Sequence, residues 1–259
     1  MSKFWPVVLV MCCVVPGALA QTTSVDVTSA GSFAYDGIYM SPYSATVGGV
    51  AKTTVICDDF ADNSYLNVSW TGNITQFSNL ASSLGSTLWG SWFSSTAGGS
   101  VSASTVIKWY QEAAWLTLGL LSQPNGSMNQ AYYSFATWAV FDPNSVLNWL
   151  KSYNDTAACM AVFGNACTST TASKGSLLYN AQQDYMSGNY SNFLIITPMV
   201  NGKICTPGIS GAGNCPAQEF FEVVSEGGTA AMYLLLAGLA CFAAVFMRHS
   251  RSNILREMA

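Results

Sequence analysis

The sequence predicts an α+β fold: one exported domain with β-strands at both ends and a helical middle, followed by a single C-terminal transmembrane helix. Three observations lead there. Runs of β-branched and aromatic residues gather near residues 33–70 and 193–224. Between them the apolar residues switch to helical spacing. Both ends of the 259-residue chain carry uncharged apolar runs.

The first of these runs reads MSKFWPVVLVMCCVVPGALA. Lys3 supplies a basic start, Phe4 to Val15 an apolar stretch too short to span a bilayer comfortably, and Ala18-Leu19-Ala20 a small-residue cleavage site. That is the pattern of a secretory signal peptide, cut after Ala20. Residues 21–34, rich in Ser, Thr and Gly, read as a flexible lead-in to a domain over 35–224.

Strand character follows in FAYDGIYM, YSATVGG and KTTVICDDF, with Gly48-Gly49 as a turn between the last two. SYLNVSW, residues 64–70, reads as one more strand. Residues 71–104 read as a Ser/Gly/Trp-rich connection with weak helical character. From Thr105 to Leu121, Val106, Trp109, Ala113, Leu116 and Leu120 recur at the spacing of one helical face. Pro124-Asn125-Gly126 stops that helix. A second runs from about Ser127 to Phe141. Asp142-Pro143 is an N-cap followed by proline at the first helical position, opening a third helix through Leu150. Residues 173–186 form a fourth. Strand character returns over 193–197 and 218–224.

The last apolar run, Gly228 to Met247, holds 20 residues without charge, about the ~30 Å of a bilayer core at ~1.5 Å per residue. Arg248, Arg251 and Arg256 follow and direct the 248–259 tail to the cytoplasm.

Between the two runs lie residues 21–227, with five lysines, no arginine, no histidine and twelve acidic residues, a formal net charge of −7. No basic footprint exists for nucleic acid. The chain's single histidine, His249, lies in the tail, so Ser-His-Asp and Cys-His catalysis and histidine-based zinc sites are excluded. No phosphate-binding glycine motif occurs. The expectation is a protein that is not an enzyme and holds no cofactor or metal. Two carboxylate readings stand beside it. Asp58, Asp59 and Asp62 offer oxygen ligands for calcium, without the EF-hand spacing, or simply an acidic strand exit. Glu112 with Asp142 offers the carboxylate pair of a secreted carbohydrate-active hydrolase, or a helical acid and an N-cap.

Five cysteines lie in the exported part, and an oxidising compartment favours pairing. Locality favours Cys159–Cys167 and Cys205–Cys215, each closing a small loop worth about 2–3 kcal/mol. Cys57 is left over as a free thiol: an intermolecular partner, a reactive thiol or a buried small residue.

The C-terminal stretch PAQEFFEVVSEGGTAAMYLLLAGLACFAAVFMRHSR resembles the bacterial PEP-CTERM sorting signals read by exosortases. That family carries a short Pro-Glu-Pro-like motif, a transmembrane helix and a basic tail on proteins with signal peptides. Here the motif position, 225–227, reads Ser-Glu-Gly. Glu226 matches and both prolines are replaced. The resemblance implies a membrane-sorted protein of the cell envelope or extracellular matrix, processed by an exosortase-like enzyme. Adhesion, biofilm or surface coat is the role, with an extracellular polysaccharide or surface ligand as partner.

Val55-Ile-Cys-Asp-Asp-Phe and Ala136-Thr-Trp-Ala-Val-Phe-Asp-Pro are also similar to the thioester domains of surface adhesins. In that family a strand cysteine bonds to a glutamine in a T-Q-x-A-I-W-like helix and captures a nucleophile. The resemblance gives Cys57 the thiol position. It places Ser134 where the glutamine belongs, with Gln130 one helical turn away. A covalent adhesin using Cys57 is the alternative function.

Overall fold

The computed structural model describes residues 21–31, 33–95, 101–207 and 215–224. Its strands are β1 (Gln21–Ser29), β2 (Ala34–Tyr35), β3 (Ile38–Tyr39), β4 (Tyr43–Val47), β5 (Val50–Cys57), β6 (Trp70–Gln76), β7 (Phe193–Val200), β8 (Lys203–Ile204) and β9 (Phe220–Val223). Its helices are α1 (Leu80–Ser83), α2 (Leu88–Ser95), α3 (Ala103–Leu121), α4 (Met128–Phe141), α5 (Pro143–Ser152), α6 (Thr156–Phe163) and α7 (Leu177–Asp184).

Gly48 and Gly49, at φ 58° and 84°, make the tight left-handed turn that joins β4 to β5. The larger arrangement differs from the expected one. The strand order is β6-β1-β4-β5-β9-β7, and β7 pairs back onto β6. Six antiparallel strands therefore close into a barrel, with β8 extending β7 at the rim. The expected α+β domain, with separate strand groups bracketing the helices, is corrected to a closed barrel carrying a helical layer.

The physical reason lies in two strands that local composition conceals. The stretch expected as a flexible lead-in is β1, which pairs with β4 on one side and β6 on the other. Thr22, Ser24 and Thr28 are exposed, while Val25 and Val27 turn inward at 1% and 2% exposure. The strand expected over 64–70 is irregular until Trp70. The strand there is β6, WTGNITQ, inside the expected connection, and it is too polar to read as a strand. Its Gly72 is required by closeness: a Cβ there would lie 3.0 Å from both Ile196 and Val25.

The inner face of the barrel is filled. Val25, Val27, Ala45, Val47, Val55 and Phe220 are buried, and Phe220 meets the rings of Tyr43 and Trp70 at 6.1 and 6.2 Å. The opposite face of β5, β7 and β9 supports the helices. Phe221 packs edge-on to Tyr110 of α3, and Phe77, just after β6, sits against Phe193 and Phe221. The expected helix boundaries of α3, α4 and α5 lie close to the observed ones, set by caps from Ser102, Ser127 and Asp142. The fourth expected helix is shorter: Ser176 caps α7 and leaves 173–175 outside it.

Among the described residues no helix is long and apolar enough to cross a membrane. The transmembrane helix of the expected fold thus has no counterpart among them. The run 228–247 lies outside the described residues, as do the leader with Ala20 and the motif residue Glu226.

Candidate functional site

β5 ends at Cys57, and its partner in the ladder is Phe220 at the start of β9. Antiparallel pairing puts opposed residues on one face, and residues two apart share it. Gln218, two residues before Phe220, is therefore the diagonal neighbour of Cys57 at the mouth of the barrel. The two side chains converge. The Cys57 thiol donates to the Asp59 carbonyl at 2.9 Å, and the Gln218 amide nitrogen donates to the same oxygen at 2.7 Å. Sulfur and amide can be no further apart than those two bonds laid end to end.

The surroundings hold both groups in place. The Cys57 N–H donates to Ser41 Oγ at 3.1 Å, and the Trp138 indole N–H donates to the Cys57 carbonyl at 3.0 Å. The Gln218 N–H donates to Ser64 Oγ at 3.0 Å. Cys57 is fully buried and Gln218 half-buried. Burial pushes the thiol's pKa well up, with Asp59 and Asp58 adding to it, and the sulfur stays protonated.

Behind this pair, on the opposite face, lies a buried acid network. The Asp58 N–H donates to the Glu219 carbonyl at 3.3 Å, which holds the ends of β5 and β9 together. The Glu219 carboxyl accepts from Tyr110 Oη at 2.6 Å, from the Leu88 N–H at 2.7 Å and from the Thr197 hydroxyl. Burial raises the pKa of both Asp58 and Glu219, and the three donors on Glu219 pull its own back. Both Asp58 oxygens lack a conventional donor, yet the two carboxyls interact. A proton carried by Asp58 and donated to Glu219 accounts for that interaction.

The other residues singled out in the sequence fall in separate places. Asp58 turns to Glu219, and Asp59 interacts with Asp62 while accepting from the Ala61 N–H at 2.8 Å. The three aspartates thus do not gather on one ion, and no group of three or more His, Cys, Asp or Glu among the described residues is placed to hold a metal. Glu112 is buried on α3 and ion-paired with Lys108 at 3.5 Å, while Asp142 accepts from the Ser145 N–H as the cap of α5. Each thus has its own local partner. Ser134 donates to the Gln130 carbonyl, and the Gln130 side chain accepts from the Gly126 N–H. Neither is bonded to Cys57. Cys159 and Cys167 form a disulfide with Cα atoms 5.1 Å apart. Cys205 and Cys215 are free thiols that hydrogen-bond to each other, with Cys215 also donating to the Thr206 carbonyl at 3.3 Å.

Sequence reasoning found Cys57 and missed Gln218. The signal available was the A-Q-E-F-F run entering a strand. What it lacked was the β5–β9 pairing that brings Gln218 to Asp59 across 159 residues.

A second carboxyl pair sits where the β2–β3 hairpin docks on the helices. The Trp149 indole donates to the Asp36 carbonyl at 3.1 Å, and Tyr35 meets Tyr132 edge-on at 6.0 Å. Burial and the neighbouring Asp155 push the pKa of Asp36 up to about 6 from an ordinary 3.8. The folded state therefore binds the proton more tightly than the unfolded chain. The stability linked to Asp36 is full below pH 3.8 and declines as pH rises through about 6. Asp36→Asn is expected to flatten that decline and raise the melting temperature at neutral pH, as a thermal melt series across pH 4–7 would record. An unchanged profile would count against the assignment.

Comparison of the chain with protein-family models, with curated proteins and with solved structures finds no match to any of them.

Proposed function

We propose that this chain is an exported surface protein whose barrel mouth forms an internal thioester between Cys57 and Gln218 and captures a nucleophile covalently. The observation that carries the reading is the convergence of thiol and amide on the Asp59 carbonyl. The chemistry balances. The Cys57 sulfur attacks the Gln218 side-chain carbonyl carbon, the C–N bond breaks, and the thiol proton leaves with the amide nitrogen as ammonia. An amine or hydroxyl on a partner surface then attacks the same carbon. An amide or ester forms to Gln218, and the Cys57 thiol is released. This is a single-use reaction with no turnover. The helical glutamine expected from the adhesin resemblance is supplied instead from the strand side.

Export and sorting rest on the two ends of the sequence. The leader before Ala20 and the PEP-CTERM-like signal around Glu226 support delivery to the cell envelope or extracellular matrix through an exosortase-like enzyme, with adhesion as the role.

Intact-mass measurement of the purified protein tests both parts. The expected mass falls short of the processed sequence by one ammonia. Cys57→Ala and Gln218→Ala each abolish that loss, and methylamine converts wild type to an adduct with one additional free thiol. A wild-type mass equal to the unmodified sequence overturns the thioester. C-terminal mapping is expected to end near Glu226, and a tail intact through Ala259 overturns sorting by cleavage.

A further inference from the structure

We propose that a second site, an open cavity between α4, α6, the end of α3 and the turn before α7, binds a neutral saccharide unit. The cavity measures about 310 Å³, at the small end of the range for small-molecule sites. Gln123, Asn129, Tyr132, Tyr133 and Gly175 are among its lining residues, and no charged side chain is. That set is the chemistry a neutral sugar ring needs: phenol rings to pack against its C–H faces, and amide and hydroxyl groups to exchange hydrogen bonds with its hydroxyls. A phosphate or carboxylate ligand would find no cation among the described residues of these walls.

The walls are built rather than accidental. Tyr133 packs closely on α3 because position 119 has no side chain: a Cβ on Gly119 would come within 2.3 Å of its ring. The Gln123 amide nitrogen donates to the Gly119 carbonyl and to Ser122 Oγ, both at 3.1 Å. Those bonds fix the side chain and leave its carbonyl oxygen to accept from a ligand. Tyr132 is held on its other side by Tyr35. Asn129 is exposed on the first turn of α4, and its amide takes no partner among the described residues. Gly175, at φ 89°, meets nothing within 4 Å of where a side chain would begin, so the mouth stays open to a unit within a longer chain.

The site uses neither Cys57 nor Gln218, and its test is independent of the thioester. The full purified protein is titrated with the methyl glycosides of glucose, galactose and N-acetylglucosamine, with methyl glucuronide as the anionic control, and binding is read by saturation-transfer NMR and calorimetry. Saturable binding of at least one neutral glycoside is expected. It should weaken about five-fold in Asn129→Ala, the loss of roughly one hydrogen bond, and vanish in Ala161→Phe, which fills the cavity from α6. Cys57→Ala should bind like wild type. Asn129 is exposed and Ala161 lies on the cavity wall, so both variants are expected to keep the wild-type melting temperature. The proposal is overturned if no neutral glycoside saturates, if the glucuronide binds as well, or if Asn129→Ala, folded, binds unchanged.

Discussion

Glu219→Ala is expected to lower the unfolding free energy by about 4 kcal/mol, measured by urea denaturation. Glu219 is fully buried at the junction of three elements. Removing its carboxyl strands the Tyr110 hydroxyl, the Leu88 N–H and the Thr197 hydroxyl, and it leaves the Asp58 carboxyl without its acceptor. Each orphaned buried group costs about 1–3 kcal/mol, and partial relaxation keeps the sum below the simple total. Glu219→Gln keeps the shape and one acceptor oxygen, and should lose about half as much. The pH dependence carries the same signature. Burial raises both pKa values above their unfolded ones. The linked stability is fully present below the ordinary carboxylate range and is lost as pH rises through the raised values. Wild type should therefore be most stable in mild acid, and Glu219→Gln should show a shallower fall towards neutral pH. A slope unaltered by the substitution would contradict the shared proton.

Trp138→Ala should cost about 3–5 kcal/mol, the usual range for emptying a large aromatic site in a core. The ring is 1% exposed and lies 5.3 Å from both Phe60 and Phe135. It also joins layer to layer, because its indole N–H is bonded to the Cys57 carbonyl. Trp138→Phe separates the two roles. It retains most of the packing and loses the bond, so a smaller loss of about 1–2 kcal/mol is expected. The ammonia-loss product at Cys57 should also be reduced, since the Cys57 carbonyl then loses its indole donor. A Trp138→Phe variant as stable as wild type would show that the bond does not matter.

What could be read beforehand follows a physical division between local and distant causes. The β4–β5 hairpin was legible because Gly48-Gly49 makes its own turn. The starts of α4 and α5 were legible because Ser127 and Asp142 cap them within three residues. The barrel was not. β1 hides two inward valines among Ser and Thr, β6 offers a glycine and polar side chains, and their pairing depends on partners far along the chain. The site divides the same way. Cys57 stood out because it had no local partner, and Gln218 did not, because an amide in a strand entry carries no local mark. The acid after Gln218 looked like an ordinary strand residue until the helical layer supplied its three donors.

The place of β9 sets a constraint on when the fold can exist. It is the last described strand, and it sits between β5 and β7. Strands made early have nowhere to close until residues 220–223 arrive. Contacts of such long sequence separation are slow to form, because the loop entropy is lost before the pairing returns it. A chain leaving a narrow export channel from its N-terminus would stay open, with β5 presenting an unpaired edge, until nearly the whole domain had emerged. The same delay would keep Cys57 and Gln218 apart during transit, so the proposed bond would form only after delivery. A truncation ending before residue 218 is expected to yield neither a cooperative unfolding transition nor loss of ammonia.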